Sequence, residues 1–333
     1  MKAIQYTDFS DDVKEVKLVE IEKPTASPGF AIVRVVSAAG NPIDHMVHKG
    51  LLNGAGWRTP FPFTMGYDFA GVVDSVSAED TDNIAVGEEV FAVNWGQHQH
   101  DEGDLPIGGA FAEYIRVPIS KLSKKPSGIS FNEAAAVALV GTTAYQTLFE
   151  CAKLTAGSKA LILGAASSVG QVAIQLAKSR GVWVAATCSG RTMEFASQLG
   201  ADKLINYREA NWEDDADLKG IDAVIDTVGD KDGFSRSIST GVVKEGGSFV
   251  TISSFDAGFV PDAHAPRLSF GALFGLSNDT AVQDELAKML SNGTLKMKID
   301  KLYPFTEGAV HDMLARIESG TSVGKNVIEI SAP

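Results

Sequence analysis

The sequence predicts an α/β protein in two parts, a barrel-like antiparallel domain followed by a doubly wound parallel sheet, on three observations. Short β-rich runs broken by Gly and Pro fill the chain up to about residue 125, and strands alternating with helices fill most of the remainder. A turn of small residues, "LGAASSVG" (163–170), joins the first strand of the second region to its first helix. The first rhythm belongs to antiparallel barrels and the second to parallel sheets with helices on both faces.

Each element follows from its local pattern. "FAIVRVVSAAG", "GVVDSV" and "EEVFAVNWG" are rich in β-branched and aromatic residues and read as strands of the first domain. In the second region "KALILGA" is an apolar β run, "SVGQVAIQLAKSRG" has helical spacing and "VWVAAT" is a further strand. "RTMEFASQLGA" reads as a helix, and "DKLINY", "IDAVIDTVG" and "GGSFVTIS" as strands. No internal repeat or low-complexity tract interrupts this order.

Composition narrows the function classes. With 333 residues, 44% of them hydrophobic, the chain can bury a large core and divide into two domains. A formal charge of −13 without a Lys/Arg cluster excludes a nucleic-acid partner. Two cysteines, Cys151 and Cys188, are too few for a disulfide framework or a four-cysteine zinc site and suit a reducing compartment. The N-terminal "MKAIQYTDFSDD" has no apolar signal segment, and no apolar run approaches the ~20 residues that span a bilayer. A cytoplasmic protein with no membrane partner is expected.

The small-residue turn is the candidate dinucleotide site. Aligned on G-x-G-x-x-G, its three positions are Ala165, Ser167 and Gly170, with Ser168 and Val169 opening the helix. Only the last remains glycine, but the turn leaves an apolar strand, opens a helix able to hold pyrophosphate, and is small where backbone must come close. At the end of the next strand an NAD site usually carries an acid for the ribose 2'-hydroxyl. Here no acid occurs from Gln171 to Met193; "ATCSGRT" offers Ser189 and Arg191, which suit a 2'-phosphate and favour NADP(H). Arg191 as a solvated helix-start residue is the other reading.

Eight motifs in register, "NPIDHMVHKG", "MGYDFAGVV", "GGAFAEYIRVP", "AAAVALVGTTAYQTL", "GAASSVGQVAIQLAK", "LGADKLINY", "IDAVIDTVG" and "GKNVIEI", resemble the medium-chain dehydrogenase/reductase superfamily over essentially the whole chain. The branch most similar is the zinc-free quinone oxidoreductases of zeta-crystallin type. The resemblance implies a GroES-like β-barrel catalytic domain over 1–124 and 297–333 and a Rossmann NADP-binding domain over 125–296. It implies a homodimer paired through the last Rossmann strand, with "GGSFVTISSF" and "SFGALFGL" as its apolar sequence. It adds Tyr207, Val228, Ser253, Lys325 and Asn326 to the cofactor residues, with Lys325 and Tyr207 beside Ser189 and Arg191 at the 2'-phosphate, and sets Thr143 beside the nicotinamide.

The resemblance also locates what is missing. Zinc members take a Cys where this chain has Asn41, a His where it has Tyr67 and a Cys at about Leu139, and they carry structural-zinc cysteines that this chain lacks. Leu139 offers zinc no donor, so a metal-free site is expected. His98, His100, Asp101, Glu102 and Asp104 form a polar loop-like run, His45 and His48 lie i, i+3 on a short helix, and His264 and His311 have no motif around them. Direct hydride transfer to a quinone or the β-carbon of an enone is then the expected chemistry, with the protein orienting the nicotinamide and polarising the acceptor oxygen. Asn41 and Tyr67 are the candidate donors to that oxygen, Tyr67 having packing as its other reading. Met46 and Leu52 stand where the quinone reductases often carry tyrosines, while Trp57, Phe61 and Phe63 are candidates for an apolar pocket. An enoyl-thioester reductase of the same superfamily and a non-catalytic, crystallin-like nucleotide-binding protein are the competing readings.

Overall fold

The computed structural model describes residues 1–53, 59–77, 84–95, 109–253, 268–270 and 279–333. Two compact units emerge: Met1–Leu139 with Ser277–Asn292 and Ile299–Pro333, and Val140–Leu276 with Gly293–Lys298. The division falls within a helix some fifteen residues after the change of sequence rhythm, because that helix opens in one unit and closes in the other.

The first unit begins with β1 (Lys2–Tyr6), β2 (Lys17–Glu20) and β3 (Phe30–Gly40), then α1 (Pro42–His48). There follow β4 (Phe63–Thr64), β5 (Asp68–Val76), β6 (Glu89–Val93), β7 (Tyr114–Pro118) and β8 (Ser123–Lys124). β1 lies between β2 and β4 in a small antiparallel sheet. β3, eleven residues long and largely buried, is the spine of the larger sheet and pairs antiparallel with β5 and β7. The core between these strands is aromatic and aliphatic, with Phe69, Phe111, Ile115, Met313 and Leu314 all buried. α2 (Phe131–Tyr145) carries the chain into the second unit.

The second unit is the parallel sheet: β9 (Lys159–Leu163), α3 (Ser168–Ser179), β10 (Trp183–Cys188), α4 (Met193–Ser197), β11 (Lys203–Asn206), β12 (Ile221–Asp226), α5 (Gly233–Ser239), β13 (Val243–Thr251) and β14 (Leu268–Phe270). The spatial order β11-β10-β9-β12-β13-β14 reverses direction between β9 and β12, which is where ligands of such sheets bind. After its first residue β9 is wholly buried, as a strand covered on both faces must be. The helix expected over "RTMEFASQLGA" is broken: a 3₁₀ turn at Gly190–Thr192 precedes a five-residue α4, because Ser189 caps the turn through Thr192.

The chain then returns to the first unit through α6 (Thr280–Ser291), and the larger sheet is completed by β15 (Ile299–Pro304), α7 (Glu307–Glu318) and β16 (Lys325–Glu329). β16 pairs antiparallel with β3, setting Asn326 opposite Gly40 and Val327 opposite Ala39. The register of β3 with β5 sets Ala39 opposite Asp68. The end of β3 and the starts of β5 and β16 therefore meet at one place, and the candidate site is built there. No described helix is long and apolar enough to cross a membrane. Trp57, the run from His98 to Asp104, His264 and, of the apolar sequence expected at a dimer edge, residues 254–255 and 271–276 lie outside the described residues.

Candidate active site

Strand register delivers three side chains to one buried point. Asn41 follows β3 and caps α1, Asp68 opens β5, and Lys325 opens β16; their exposures are 2%, 0% and 1%. Lys325 Nζ lies 2.9 Å from Asp68 Oδ2 and also donates to Asn41 Oδ1. Asn41 Nδ2 donates to the same Asp68 oxygen at 2.8 Å and to Ala39 O at 3.2 Å, while the backbone N–H of Leu139 donates to Asp68 Oδ1 at 2.6 Å. A carboxylate stripped of water survives when a cation and several donors replace its hydration shell, and Asp68 has one cation and two further donors. Burial pushes the Asp68 carboxyl up, and Lys325, Asn41 and Leu139 pull it back.

A second carboxyl lies against this cluster. Asp44 Oδ2 accepts from the Asn41 backbone N–H at 2.7 Å, and the side chain is 2% exposed. Burial raises its pKa to about 7, with the neighbouring Asp68 adding to the rise and the Asn41 amide and Lys325 opposing it. The physical reason is loss of water around the carboxylate; the like charge of Asp68 adds to it, and the N–H groups of Asn41 and Gly66 and the Lys325 ammonium offset only part of the rise.

The same geometry ranks the expected donors. An amide nitrogen has two hydrogens, and both of those on Asn41 are committed inside the cluster. Asn41 is thereby tied to Ala39, Asp68 and Lys325. Tyr67 is buried with its ring centroid 5.3 Å from that of Trp95, and its carbonyl accepts from the Asn94 N–H at 2.7 Å. Lys325, expected at the 2'-phosphate, has its ammonium bound to Asp68 and Asn41; Asn326 beside it donates from its side chain to Ser322 Oγ at 3.0 Å. In the sequence Lys325 is marked by the "GKNVIEI" motif and read as a cofactor residue, and nothing local says which acid it meets.

In the second unit the turn from β9 to α3 lies at the sheet's reversal. Gly164 has φ +94°, and a Cβ there would sit 2.4 Å from Val228 Cγ1, so Val228 lies directly over the turn. A Cβ on Gly170 would sit 2.0 Å from the Gly164 carbonyl oxygen, which is why this one position of the small-residue pattern is glycine. Ala165 is fully buried, and Ser167 caps α3 by accepting the Gly170 N–H at 2.8 Å. Ser167 Oγ also meets Thr227 Oγ1 at 2.8 Å. Asp226 takes the N–H groups of Val228, Gly229 and Asp230 at 3.0–3.1 Å and fixes the loop after β12; Ser253 Oγ joins it at the Thr227 carbonyl, 3.3 Å away. Ser168 and Val169 begin α3, where the first N–H groups of a helix lack intrahelical acceptors and the dipole favours an anion. The donors and the close packing here fit a pyrophosphate.

The ends of β10 and β11 form the neighbouring surface. Ser189 is buried and its hydroxyl lies 3.1 Å from Thr192 Oγ1 in the cap, so it shapes the turn. Arg191, Tyr207 and Arg208 are exposed, Tyr207 at 54%. Thr143 is buried in α2. Among the described residues, no group of three or more His, Cys, Asp or Glu side chains is placed to hold a metal ion.

Residues 27–127 match the alcohol dehydrogenase GroES-like domain, and residues 199–328 match the zinc-binding dehydrogenase domain. A 2-methylene-furan-3-one reductase of Solanum lycopersicum is 34% identical over 98% of this chain and 79% of its own length. The chain belongs to the medium-chain dehydrogenase/reductase superfamily. A chloroplastic NADPH-dependent alkenal/one oxidoreductase of Arabidopsis thaliana is 33% identical over the same shares of the two chains. The solved structure of the quinone oxidoreductase from Coxiella burnetii superposes with a TM-score of 0.83 at 30% identity, covering 99% of each chain. As a medium-chain dehydrogenase/reductase the protein is a nicotinamide-dependent oxidoreductase with a GroES-like and a Rossmann-like domain. At the three positions where the resemblance to zinc members places ligands, this chain carries an amide (Asn41), a phenol (Tyr67) and an aliphatic side chain (Leu139), and the buried Lys325 ammonium is bound to Asn41.

Proposed function

We infer that this chain is an NADPH-dependent, zinc-independent reductase of quinones or α,β-unsaturated carbonyls. The observation that carries the reading is the Lys325 ammonium on Asn41 and Asp68. A protein cation, paired with Asp68, is bound to Asn41, and Leu139 closes the set to a metal by offering no donor atom from its side chain. An acceptor that already takes hydride readily needs no Lewis acid, and the activities named for the two plant relatives and the solved quinone oxidoreductase are of that kind.

The bound cofactor supplies the hydride, and the chain's own residues do the rest. The α3 start and the turn at 164–167 hold the pyrophosphate, Val228 and Ser253 border it, and Arg191 with Tyr207 takes the 2'-phosphate, Ser189 shaping their turn. The absence of an acid from Gln171 to Met193 supports NADPH over NADH. Thr143 orients the nicotinamide. Tyr67 donates to the acceptor oxygen as negative charge develops there, with the Lys325–Asp68–Asn41 cluster holding fixed charge nearby. A screen of quinones, enones and enoyl-thioesters with NADPH and NADH in parallel tests the reading. Oxidation of NADPH by a quinone or enone, slower with NADH, is expected; turnover confined to enoyl-thioesters, or none at all, would overturn it.

Tyr67→Phe separates packing from catalysis, since it keeps the ring against Trp95 and removes only the phenol O–H. It is expected to lower kcat roughly ten- to a hundred-fold with NADPH affinity unchanged, less than the loss of an oxyanion-hole donor in an acyl transferase because the acceptor is already electrophilic. Unchanged kcat in steady-state assays would assign Tyr67 to packing alone.

A further inference from the structure

Beside the Lys325 cluster in the sequence and the fold, β1 and α1 carry a group of polar side chains that take no part in the proposed hydride transfer. Tyr6 on β1, Asp44, His45 and His48 on α1 are all buried. Five of their atoms have no hydrogen-bond partner among the described residues: Tyr6 Oη, Asp44 Oδ1, His45 Nε2, and both ring nitrogens of His48. The rings are in sequence, Tyr6 edge-on to His48 at 4.7 Å between centroids and His48 stacked on His45 at 6.0 Å. His45 Nδ1 then lies 3.6 Å from Glu318 Oε2, whose side chain is 51% exposed. The observed series runs from Tyr6 through His48 and His45 to the exposed Glu318, with Asp44, bonded to the Asn41 backbone, on the same helix as the histidines.

Buried polar atoms in folded proteins are satisfied by protein or by ordered water, and five orphans in one cluster are the pattern that ordered water satisfies. We propose that bound water links Asp44, Tyr6, His48 and His45 into a proton path that runs inward from Glu318 to the candidate active site. The proposal rests on the reductase reading. There, hydride from the nicotinamide forms a C–H bond at the β-carbon of the acceptor, the alkene electron pair moves to the carbonyl oxygen, and the nicotinamide is oxidised. The resulting enolate takes one proton at its α-carbon from the bound water at the Asp44 end of the path, and the hydroxide left there is reprotonated along the path from bulk water. Neutral imidazoles suit the task because each carries one N–H donor and one acceptor nitrogen. Burial lowers the His48 pKa to about 4, with His45 and Lys49 adding to the fall and Asp11 and Asp12 opposing it. Burial and Lys49 lower that of His45 against Glu318 and Asp11. Burial and the facing Asp44 raise that of the Tyr6 phenol, so it too stays neutral and bifunctional.

The test combines turnover with a measurement that needs none. His48→Phe interrupts the path, and Tyr6→Phe removes one link while keeping the ring. In either folded variant kcat is expected to fall roughly ten-fold or more, the scale of a lost proton-transfer group. The ratio of rates in H₂O and D₂O should rise, NADPH affinity should hold, and added imidazole should restore part of the His48→Phe rate. A fall in kcat with no change in the solvent isotope ratio indicates a structural role and overturns the proposal, as does no change in either. Independently, histidine ¹⁵N NMR of the wild-type chain without substrate should show the His48 ring N–H exchanging magnetisation with water; a ring N–H sealed from water overturns the path even if turnover is normal. If the wild type reduces no quinone or enone, the reductase reading fails on its own, and the histidine exchange alone decides whether the hydrated path exists.

Discussion

Lys325→Met is expected to destabilise the first unit by about 3–5 kcal/mol, the cost of leaving one member of a buried ion pair without its partner. Asp68 is fully buried, and its Oδ2 has the Lys325 ammonium at 2.9 Å. Methionine matches the length of the lysine stem but brings no charge, so Asp68 must either remain an uncompensated anion or take up a proton, and both cost free energy. The remaining donors, Asn41 Nδ2 and the Leu139 N–H, are neutral and offset only part of this. Chemical denaturation followed by circular dichroism gives the loss directly. The double variant Lys325→Met/Asp68→Asn removes both charges and should recover a large part of it. A double variant no more stable than the single one would mean that packing of the Lys325 stem, not charge, holds this corner together.

How this cluster arises also shows what the sequence could and could not reveal. The strands over 30–40, 159–163, 183–188 and 221–226 were legible because each is a β-rich or apolar run of strand length bounded by turn residues, and periodicity is a local property. The α3 start was legible from small residues at fixed spacing. The interrupted helix at 190–197 was not, because Ser189 and Thr192 close a local cap that competes with a continuous helix through their side chains. The cluster itself was out of reach: Asn41, Asp68 and Lys325 are separated by 27 and 257 residues along the chain and meet only through the β3–β5 and β3–β16 registers. The positions that zinc members use could be compared one by one through the resemblance, which singled out Asn41 and Tyr67, but the two amide hydrogens of Asn41 could be assigned only once their acceptors, Ala39 O and Asp68, had been located. Asp44 was passed over because an acid at the third position of a short helix is an ordinary capping residue, and nothing local says that it is also buried against a second carboxyl.

That burial gives Asp44 the second large effect. Its carboxyl has a pKa of about 7 in the folded chain, against an ordinary value of about 3.9 when unfolded. A group whose folded pKa is the higher of the two holds its proton more tightly in the folded state. Between these values the unfolded chain has released the proton and the folded chain has kept it, so fewer protons are bound on unfolding and stability falls as pH rises. The contribution is fully present below about pH 4 and is exhausted above about pH 7, a span of roughly three units that amounts to about 4 kcal/mol. Asp44→Asn is the control, because the amide is neutral throughout and its oxygen can still accept the Asn41 N–H. The titrations of His45, His48 and Glu318 remain in both proteins and cancel to first order in the difference between them. The wild type is therefore expected to lose stability relative to Asp44→Asn as pH is raised from 5 to 8, by about 3 kcal/mol in urea unfolding at matched ionic strength. A difference that stays flat would place the carboxyl's titration outside this range, and one of opposite slope would mean that Lys325 holds both carboxylates ionised and that Asp68 and Asp44 share its charge.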